Sequence, residues 1–190
     1  MSQHPIQIIG LTGLAGSGKD TVREILQGYH RFAGLALADP IRAMLRQLLQ
    51  HSAIDTKWMD QRELKEATIP ELGVSYRQLA QTLGTEWGRA VAPDLWIRIA
   101  QRHIDLWRRI GDAGVVISDI RFPNEADWVR SQGGQIWRIH RPDIARVRDH
   151  DSERGVDAIT ADYVIYNTNT LEHLAKVVAA TLRYEGQVSA

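Results

Sequence analysis

The sequence predicts an α/β fold in which a mainly parallel five-stranded sheet carries helices on both faces. Short apolar runs rich in β-branched residues alternate with amphipathic stretches, as they do in parallel sheets. The chain between the second and third runs is far longer than a crossover requires, which predicts a helical insertion there. The five runs interpreted as strands occupy residues 6–11, 35–38, 115–118, 135–140 and 163–166.

Several of the predicted helices begin with start signals. Apolar residues recur at helical spacing across residues 22–29, directly after the first strand. Asp39 is the predicted N-cap of a helix that has Pro40 at its first position. Ser75 and Thr170 are the predicted caps of two later helices. These signals place helices between the strands and after the last one.

The length of 190 residues predicts one domain, residues 1–190, rather than two. Its core is predicted to comprise residues 1–39 and 112–190. The long connection, residues 40–111, has mostly helical spacing and is predicted to form a subdomain beside the sheet. A second long connection, residues 141–161, is crowded with charge.

Composition narrows the class of protein. The chain carries 23 basic and 23 acidic residues, so it lacks the basic excess by which proteins usually hold nucleic acid. It contains no cysteine, which excludes disulfides, thiolate metal sites and cysteine nucleophiles. No apolar run reaches the roughly 20 residues that span a bilayer. We therefore expect a cytoplasmic, soluble protein with no nucleic-acid or membrane partner.

A glycine-rich segment after the first strand fits the pattern G-x-x-x-x-G-K of a P-loop. Its three glycines can adopt backbone angles closed to other residues, so that the loop can wrap a phosphate with its N–H groups. The following helix directs its positive end at the same place, and Lys19 adds a charge that can follow a terminal phosphate. The predicted phosphate-binding residues for ATP are Gly13, Leu14, Ala15, Gly16, Ser17, Gly18, Lys19, Asp20 and Thr21.

The position after the P-loop lysine departs from the usual pattern. Asp20 stands where a serine or threonine commonly binds Mg²⁺. A carboxylate is a hard oxygen ligand and can bind this ion directly or through water, and the Thr21 hydroxyl is an alternative. Mg²⁺ is thus a predicted cofactor, with Asp20, Thr21 and Asp119 as its candidate ligands.

Asp119 and Arg121 follow the third predicted strand, at the carboxyl edge where open α/β sheets bind ligands. An aspartate there can hold Mg²⁺ or accept a proton from a phosphate. A structural salt bridge is the alternative interpretation of this pair. With Lys19, these two residues are the predicted catalytic residues.

Taken together, these motifs resemble the phage-type deoxynucleoside monophosphate kinases, within the P-loop nucleoside monophosphate kinase-like superfamily. The resemblance runs nearly end to end, and the Gly-Lys-Asp-Thr variant of the P-loop is itself a feature of that family. The segments that carry it are residues 17–21, 37–42, 79–86, 119–121, 140–142 and 163–167.

The resemblance implies transfer of the γ-phosphoryl group of ATP to a deoxynucleoside monophosphate (dNMP), with Mg²⁺. It implies that Arg121 bridges the phosphates of the two substrates. It also implies that the insertion binds the acceptor. Arginines in the insertion fit this role, since a guanidinium group can donate two hydrogen bonds to a phosphate dianion. The candidate acceptor-binding residues are Asp39, Arg42, Arg77, Gln78, Thr85, Arg89 and Trp96. For Trp96, burial in the core is the alternative.

The charged connection at residues 141–161 corresponds in position to the lid of nucleoside monophosphate kinases. Arg141 and Arg154 are its candidate clamping residues. A lid of this kind would hold the transferring group and exclude water. A solvated loop of mixed charge is the alternative.

Two other functions stay open on the sequence. The acceptor can be another phosphorylated metabolite, as in the phosphomevalonate and dephospho-coenzyme A kinases that share the scaffold. The chain can also be a nucleotide-binding switch or NTPase without an acceptor of its own, although the long insertion and the arginine-rich segment favour a second substrate. The sequence leaves the oligomeric state undetermined, with a homodimer as one option.

Overall fold

The computed structural model describes residues 6–110, 114–142 and 155–188. Besides a 3₁₀ turn at Arg62–Leu64 and a π-helical segment at Thr82–Trp87, its elements are named in chain order. They are β1 (Gln7–Thr12), α1 (Lys19–His30), β2 (Phe32–Leu35), α2 (Asp39–His51), α3 (Lys57–Asp60), β3 (Thr68–Ile69), β4 (Val74–Ser75), α4 (Tyr76–Gln81), α5 (Gly88–Val91), α6 (Leu95–Ile110), β5 (Gly114–Ile117), α7 (Pro123–Ser131), β6 (Gln135–His140), β7 (Tyr163–Tyr166) and α8 (Leu171–Val188).

Five of the strands form one sheet in the order β2-β5-β1-β6-β7, and every neighbouring pair in it is parallel. The predicted parallel α/β sheet is therefore confirmed. The second strand was predicted at residues 35–38, which is wrong: β2 ends at Leu35. Ala36 and Leu37 are buried beyond its end, so their apolar character reflects burial outside the strand.

Helices cover both faces of the sheet. Along a strand, successive side chains point to opposite faces. On one face, Ile9 and Leu11 of β1 belong to a buried cluster with residues of α1 and α8. On the other face, the backbone of Gly10 approaches Val129 of α7, against which a β-carbon at Gly10 would pack. The sheet thus lies between two layers of helices, and its inner strands β1 and β5 are buried on both faces.

The chain divides into two compact units. One joins the chain up to Ala36 with the chain from Ala100 onward, and the other is Leu37–Ile99. The predicted insertion, residues 40–111, extends further than the second unit. The later part of α6 belongs to the first unit, since Gln101 hydrogen-bonds Trp128 of α7 at 2.8 Å.

The second unit is mostly helical, as predicted for the insertion, but it also contains the short antiparallel pair β3–β4. Ser75 caps α4 as predicted, with its hydroxyl accepting the Gln78 N–H at 3.1 Å. Asp39 is not an N-cap: α2 begins at Asp39 itself, and its carboxylate pairs with Arg42 one turn on. Pro40 still stands in the first turn, where its missing N–H is tolerated.

In the first unit, Thr170 caps α8 as predicted, and its hydroxyl accepts the His173 N–H at 3.3 Å. No helix within the described residues combines the length and the apolar character that crossing a membrane requires.

Candidate active site

The carboxyl ends of the five parallel strands lie at one edge of the sheet, where ligands bind in open α/β folds. The loop after β1 and the turn after β5 come from adjacent strands at this edge. Their backbones are joined directly, because the N–H of Ile120 donates to the carbonyl of Leu11 at 3.0 Å. The structure therefore brings the P-loop and the Asp119–Arg121 turn together.

The backbone of the P-loop uses the freedom of its glycines. Gly13, Gly16 and Gly18 have φ values of 138°, 81° and 103°, in the region that side chains disfavour. Gly13 also approaches the backbone of β6 so closely that a β-carbon would collide with the carbonyl of Ile139. The glycines thus fulfil both requirements of a phosphate loop, unusual angles and close packing against the neighbouring strand.

Lys19 is the first residue of α1, and its side chain folds back over the loop. Its ammonium donates to the carbonyls of Gly13 and Leu14, at 2.6 and 2.8 Å. The positive charge is thereby held beside the N-terminus of α1, whose unpaired N–H groups already favour an anion. The loop thus combines an ammonium group with the N-terminus of a helix, and both favour an anion.

The three candidate metal ligands lie in the same unit. Asp20 is exposed in the first turn of α1, and Thr21 follows it half-buried. Asp119 is only 8% exposed, directly beyond β5. Across the described residues, no three histidine, cysteine or acidic side chains are grouped to hold a metal by themselves. The donor set fits Mg²⁺, which typically takes one or two carboxylates and completes its shell with phosphate and water.

Arg121 lies on a turn that a buried carboxylate organises. The side chain of Glu125, 5% exposed, accepts the backbone N–H groups of Arg121 and Phe122 at 2.8 and 3.0 Å. Phe122 is the N-cap of α7, and Pro123 follows it, so Glu125 stands at the position of a capping-box glutamate. Sequence reasoning missed Glu125, although its spacing after Phe122 and Pro123 was a usable signal.

The candidate acceptor residues all lie in the second unit, and two of the arginines are paired there. Arg42 forms an exposed salt bridge with Asp39 at 2.9 Å. Arg77 pairs with Glu66, and its backbone N–H donates to the carbonyl of Lys65. Arg77 is half-buried, and the carboxylate of Glu66 orients its guanidinium.

Trp96 has a packing role in the second unit. It is 7% exposed, its indole N–H donates to the carbonyl of Gly84 at 2.8 Å, and its ring lies directly against Gly88. Of the other acceptor candidates, Gln78 is exposed, and Thr85 and Arg89 are half-buried. Participation of these four residues in base or phosphate recognition stays a prediction.

Of the two candidate clamping arginines, Arg141 is exposed immediately after β6, and Arg154 lies outside the described residues. The described chain resumes at Gly155, which packs against the backbone carbonyl of Arg121. Arg138 of β6 donates to the carbonyls of Val156 and Ile159. The end of the 141–161 connection is therefore fastened beside the candidate catalytic turn.

Comparisons with known proteins agree with this architecture. Residues 61–178 match the model of the family described as deoxynucleotide monophosphate kinase. A protein of Acanthamoeba polyphaga mimivirus that bears the name of the same kinase is 32% identical, over 96% of this chain and 99% of its own.

Solved structures with lower identity share the fold. A shikimate kinase from Aquifex aeolicus superposes with a TM-score of 0.53 at 14% identity, covering 94% of this chain and 98% of its own. A dephospho-CoA kinase from Campylobacter jejuni gives 0.51 at 15% identity, covering 97% of this chain and 100% of its own.

The contacts of Glu125 generate a stability prediction. Glu125→Ala should lower the melting temperature, because two backbone N–H groups lose their acceptor at a buried helix start. A lost charge-assisted hydrogen bond costs about 1–3 kcal/mol, and each kcal/mol corresponds to roughly 2–4 °C for a chain of this size. Glu125→Gln, which keeps an acceptor oxygen, should fall between. Asp127→Ala, exposed on the same helix, is the control, and equal melting of both alanine variants would contradict the capping role.

Proposed function

Because the chain belongs to the deoxynucleotide monophosphate kinase family, we propose that it transfers the γ-phosphoryl group of ATP to a dNMP, giving ADP and the diphosphate. The observation that carries this proposal is the P-loop with Lys19 folded over it, in a chain of that family. ATP as the donor favours a cytoplasmic location.

The donor side of the proposed reaction is supplied by the first unit. The backbone N–H groups of residues 13–18 and the start of α1 would hold the β- and γ-phosphates. The Lys19 ammonium would move from the carbonyls of Gly13 and Leu14 to the γ-phosphate, exchanging two neutral acceptors for an anionic one. Catalysis then rests on positioning and on charge neutralisation, with no covalent enzyme intermediate.

The acceptor is assigned to the second unit. Arg42, Arg77 and Arg89 would bind the monophosphate of the dNMP, since a planar guanidinium can donate two parallel hydrogen bonds to it. The pairing of Arg77 with Glu66 supports this assignment, because it pre-orients a half-buried guanidinium. Asp39, Gln78, Thr85 and Trp96 complete the proposed site. Gln78 and Thr85 would contact the base, and Trp96 would support them from the core, where it contacts Gly84 and Gly88.

The transfer itself is assigned to the turn after β5. Arg121 would neutralise the charge that spreads over the γ-phosphoryl oxygens as the bond to ADP breaks. Asp119 would accept any proton carried by the acceptor phosphate, whose oxygen is already a nucleophile. Arg141 and Arg154 would also bind the transferring group and exclude water from it.

Mg²⁺ is the proposed cofactor, with Asp20, Thr21 and Asp119 as the residues that would hold it. When bound, this ion would supply positive charge that offsets the negative charge of the phosphates. Asp20 also places a negative charge near the phosphates, which Lys19 on the adjacent position offsets.

The proposed reaction predicts ADP release that depends on a dNMP. A panel of dNMPs, ribonucleoside monophosphates, dephospho-coenzyme A and phosphomevalonate, assayed for ADP, should show stimulation by at least one dNMP. Stimulation by a different metabolite alone, or ADP release indifferent to every acceptor, would contradict the proposal.

Lys19→Ala should lower the turnover number by several orders of magnitude in the same ADP assay, while the variant remains folded. Lys176→Ala, a substitution of an exposed lysine on α8, should leave the turnover number unchanged.

A metal role for Asp20 predicts a changed Mg²⁺ requirement. Asp20→Asn removes the negative charge of the ligand, so a higher Mg²⁺ concentration should be needed for half-maximal rate. The measurement is a Mg²⁺ titration of the initial rate at saturating substrates, with Asp127→Asn as the control. An unchanged titration would assign the ion to Asp119 or Thr21 instead.

A transition-state role for Arg121 predicts that kcat and kcat/KM fall together in Arg121→Lys. Lysine keeps the charge but loses the planar fork, so the loss should be about 10²-fold. Steady-state kinetics and a melting curve are measured for this variant and for Arg102→Lys, exposed on α6. Normal kinetics with a lowered melting temperature would show that Arg121 serves a structural salt bridge.

A further inference from the structure

Asn167 lies directly after β7 and extends the pairing of β7 with β6 by one step. The last residue pair of the two strands is His140 with Tyr166, whose rings contact edge to face at 5.3 Å between centroids. Beyond it, the backbone N–H of Asn167 donates to the carbonyl of His140 at 2.8 Å. The backbone of Asn167 is thus fixed by the sheet at the carboxyl edge that carries the P-loop.

The side chain of Asn167 reaches the P-loop itself. Its amide nitrogen donates to the backbone carbonyl of Ser17 at 3.0 Å, across 150 residues of sequence. It also lies against Gly18 so closely that a β-carbon at Gly18 would collide with it. Glycine at position 18 therefore allows two things, the left-handed φ of 103° and the approach of this amide.

The contact with Ser17 controls the orientation of a peptide group. The peptide bond is planar and trans, so the carbonyl of Ser17 and the N–H of Gly18 point in opposite directions. A donor that holds the carbonyl on the side of β7 consequently turns the Gly18 N–H away from β7. A phosphate loop binds more tightly when its N–H groups are directed inward before the anion arrives, because reorienting them on binding lowers the affinity.

We infer that Asn167 is a positioning residue for the donor phosphates, which fixes the Ser17–Gly18 peptide in its phosphate-binding orientation. This inference rests on the proposed function, because it presumes that the loop binds the triphosphate of ATP. The side chain of Asn167 contacts the loop, so the role inferred for it acts through the loop. Its loss should therefore affect the binding of ATP and leave the chemistry of the bound complex unchanged.

The size of the effect follows from the bond involved. The contact is a hydrogen bond between neutral groups, and removing one such bond should weaken ATP binding by about 3- to 10-fold. The KM for ATP should rise by a similar factor, while kcat at saturating ATP and the KM for the dNMP stay at the wild-type values. If Asn167 only stabilised the fold, its replacement would lower the melting temperature and leave the affinity and the KM for ATP unchanged.

The experiment measures the affinity of ATP and of inorganic tripolyphosphate by calorimetry, and the steady-state constants. Two variants remove the donor by different routes: Asn167→Ala leaves space, and Asn167→Leu keeps a side chain of similar size. Asn169→Ala is the matched control, since Asn169 is an exposed asparagine two residues further along. Melting curves give the folded fraction of each protein, and affinities are expressed per folded molecule.

Weaker binding of both ligands to both Asn167 variants, with wild-type affinity for Asn169→Ala, would support the inference. Wild-type affinity in either folded Asn167 variant would overturn it, as would an equal loss in the Asn169→Ala control. Failure of the wild-type protein to bind ATP would instead overturn the proposed function. The two failures are therefore distinguishable in a single set of titrations.

Discussion

The candidate active site depends on one constraint, which is that backbone N–H groups at the end of β1 must be free to face an anion. A strand or a helix would consume these groups internally. The chain meets the constraint with a loop whose three glycines adopt positive φ values, followed at once by the N-terminus of α1. The burial of β1 on both faces, the parallel neighbours β5 and β6 and the amide of Asn167 all serve to hold this loop still.

The turn after β5 obeys a related rule. In this turn, a carboxylate of the protein accepts hydrogen bonds from backbone N–H groups. In the P-loop, backbone N–H groups are left available to a bound anion. Glu125 satisfies the donors at the start of α7, so that helix start is occupied by a side chain of the protein itself. The start of α1 carries Gly18 at its N-cap and has no side-chain cap. Two helix termini at the same sheet edge are thereby given different tasks, one structural and one open to a ligand.

The parts of this structure that sequence predicted best are those determined by local patterns. The P-loop, the parallel sheet, and the caps at Ser75 and Thr170 each depend on residues that are close in sequence. The end of β2 was misplaced, because an apolar run looks the same whether it continues a strand or leads into a helix.

Contacts between distant segments were beyond local patterns. The hydrogen bond from Asn167 to Ser17 joins residues that are 150 positions apart, and no sequence pattern around either residue predicts contact with the other. The pairing of Arg77 with Glu66 and the burial of Trp96 are also tertiary effects. For these residues, the sequence identifies the chemical type of the side chain, but the contacting partner can be identified only from the fold.

The packing of Trp96 has a consequence for local unfolding. Residues 82–91 contain two glycines, each of which costs roughly 1 kcal/mol of helix propensity relative to alanine, and the first part of the segment is a π-helix, a rare conformation. Trp96, from a separate helix, donates to the carbonyl of Gly84 and packs on Gly88. Ile41 also lies directly against Gly84. The free energy of opening this segment therefore depends on side chains outside it, Trp96 and Ile41 among them, and not on its own helix propensity alone.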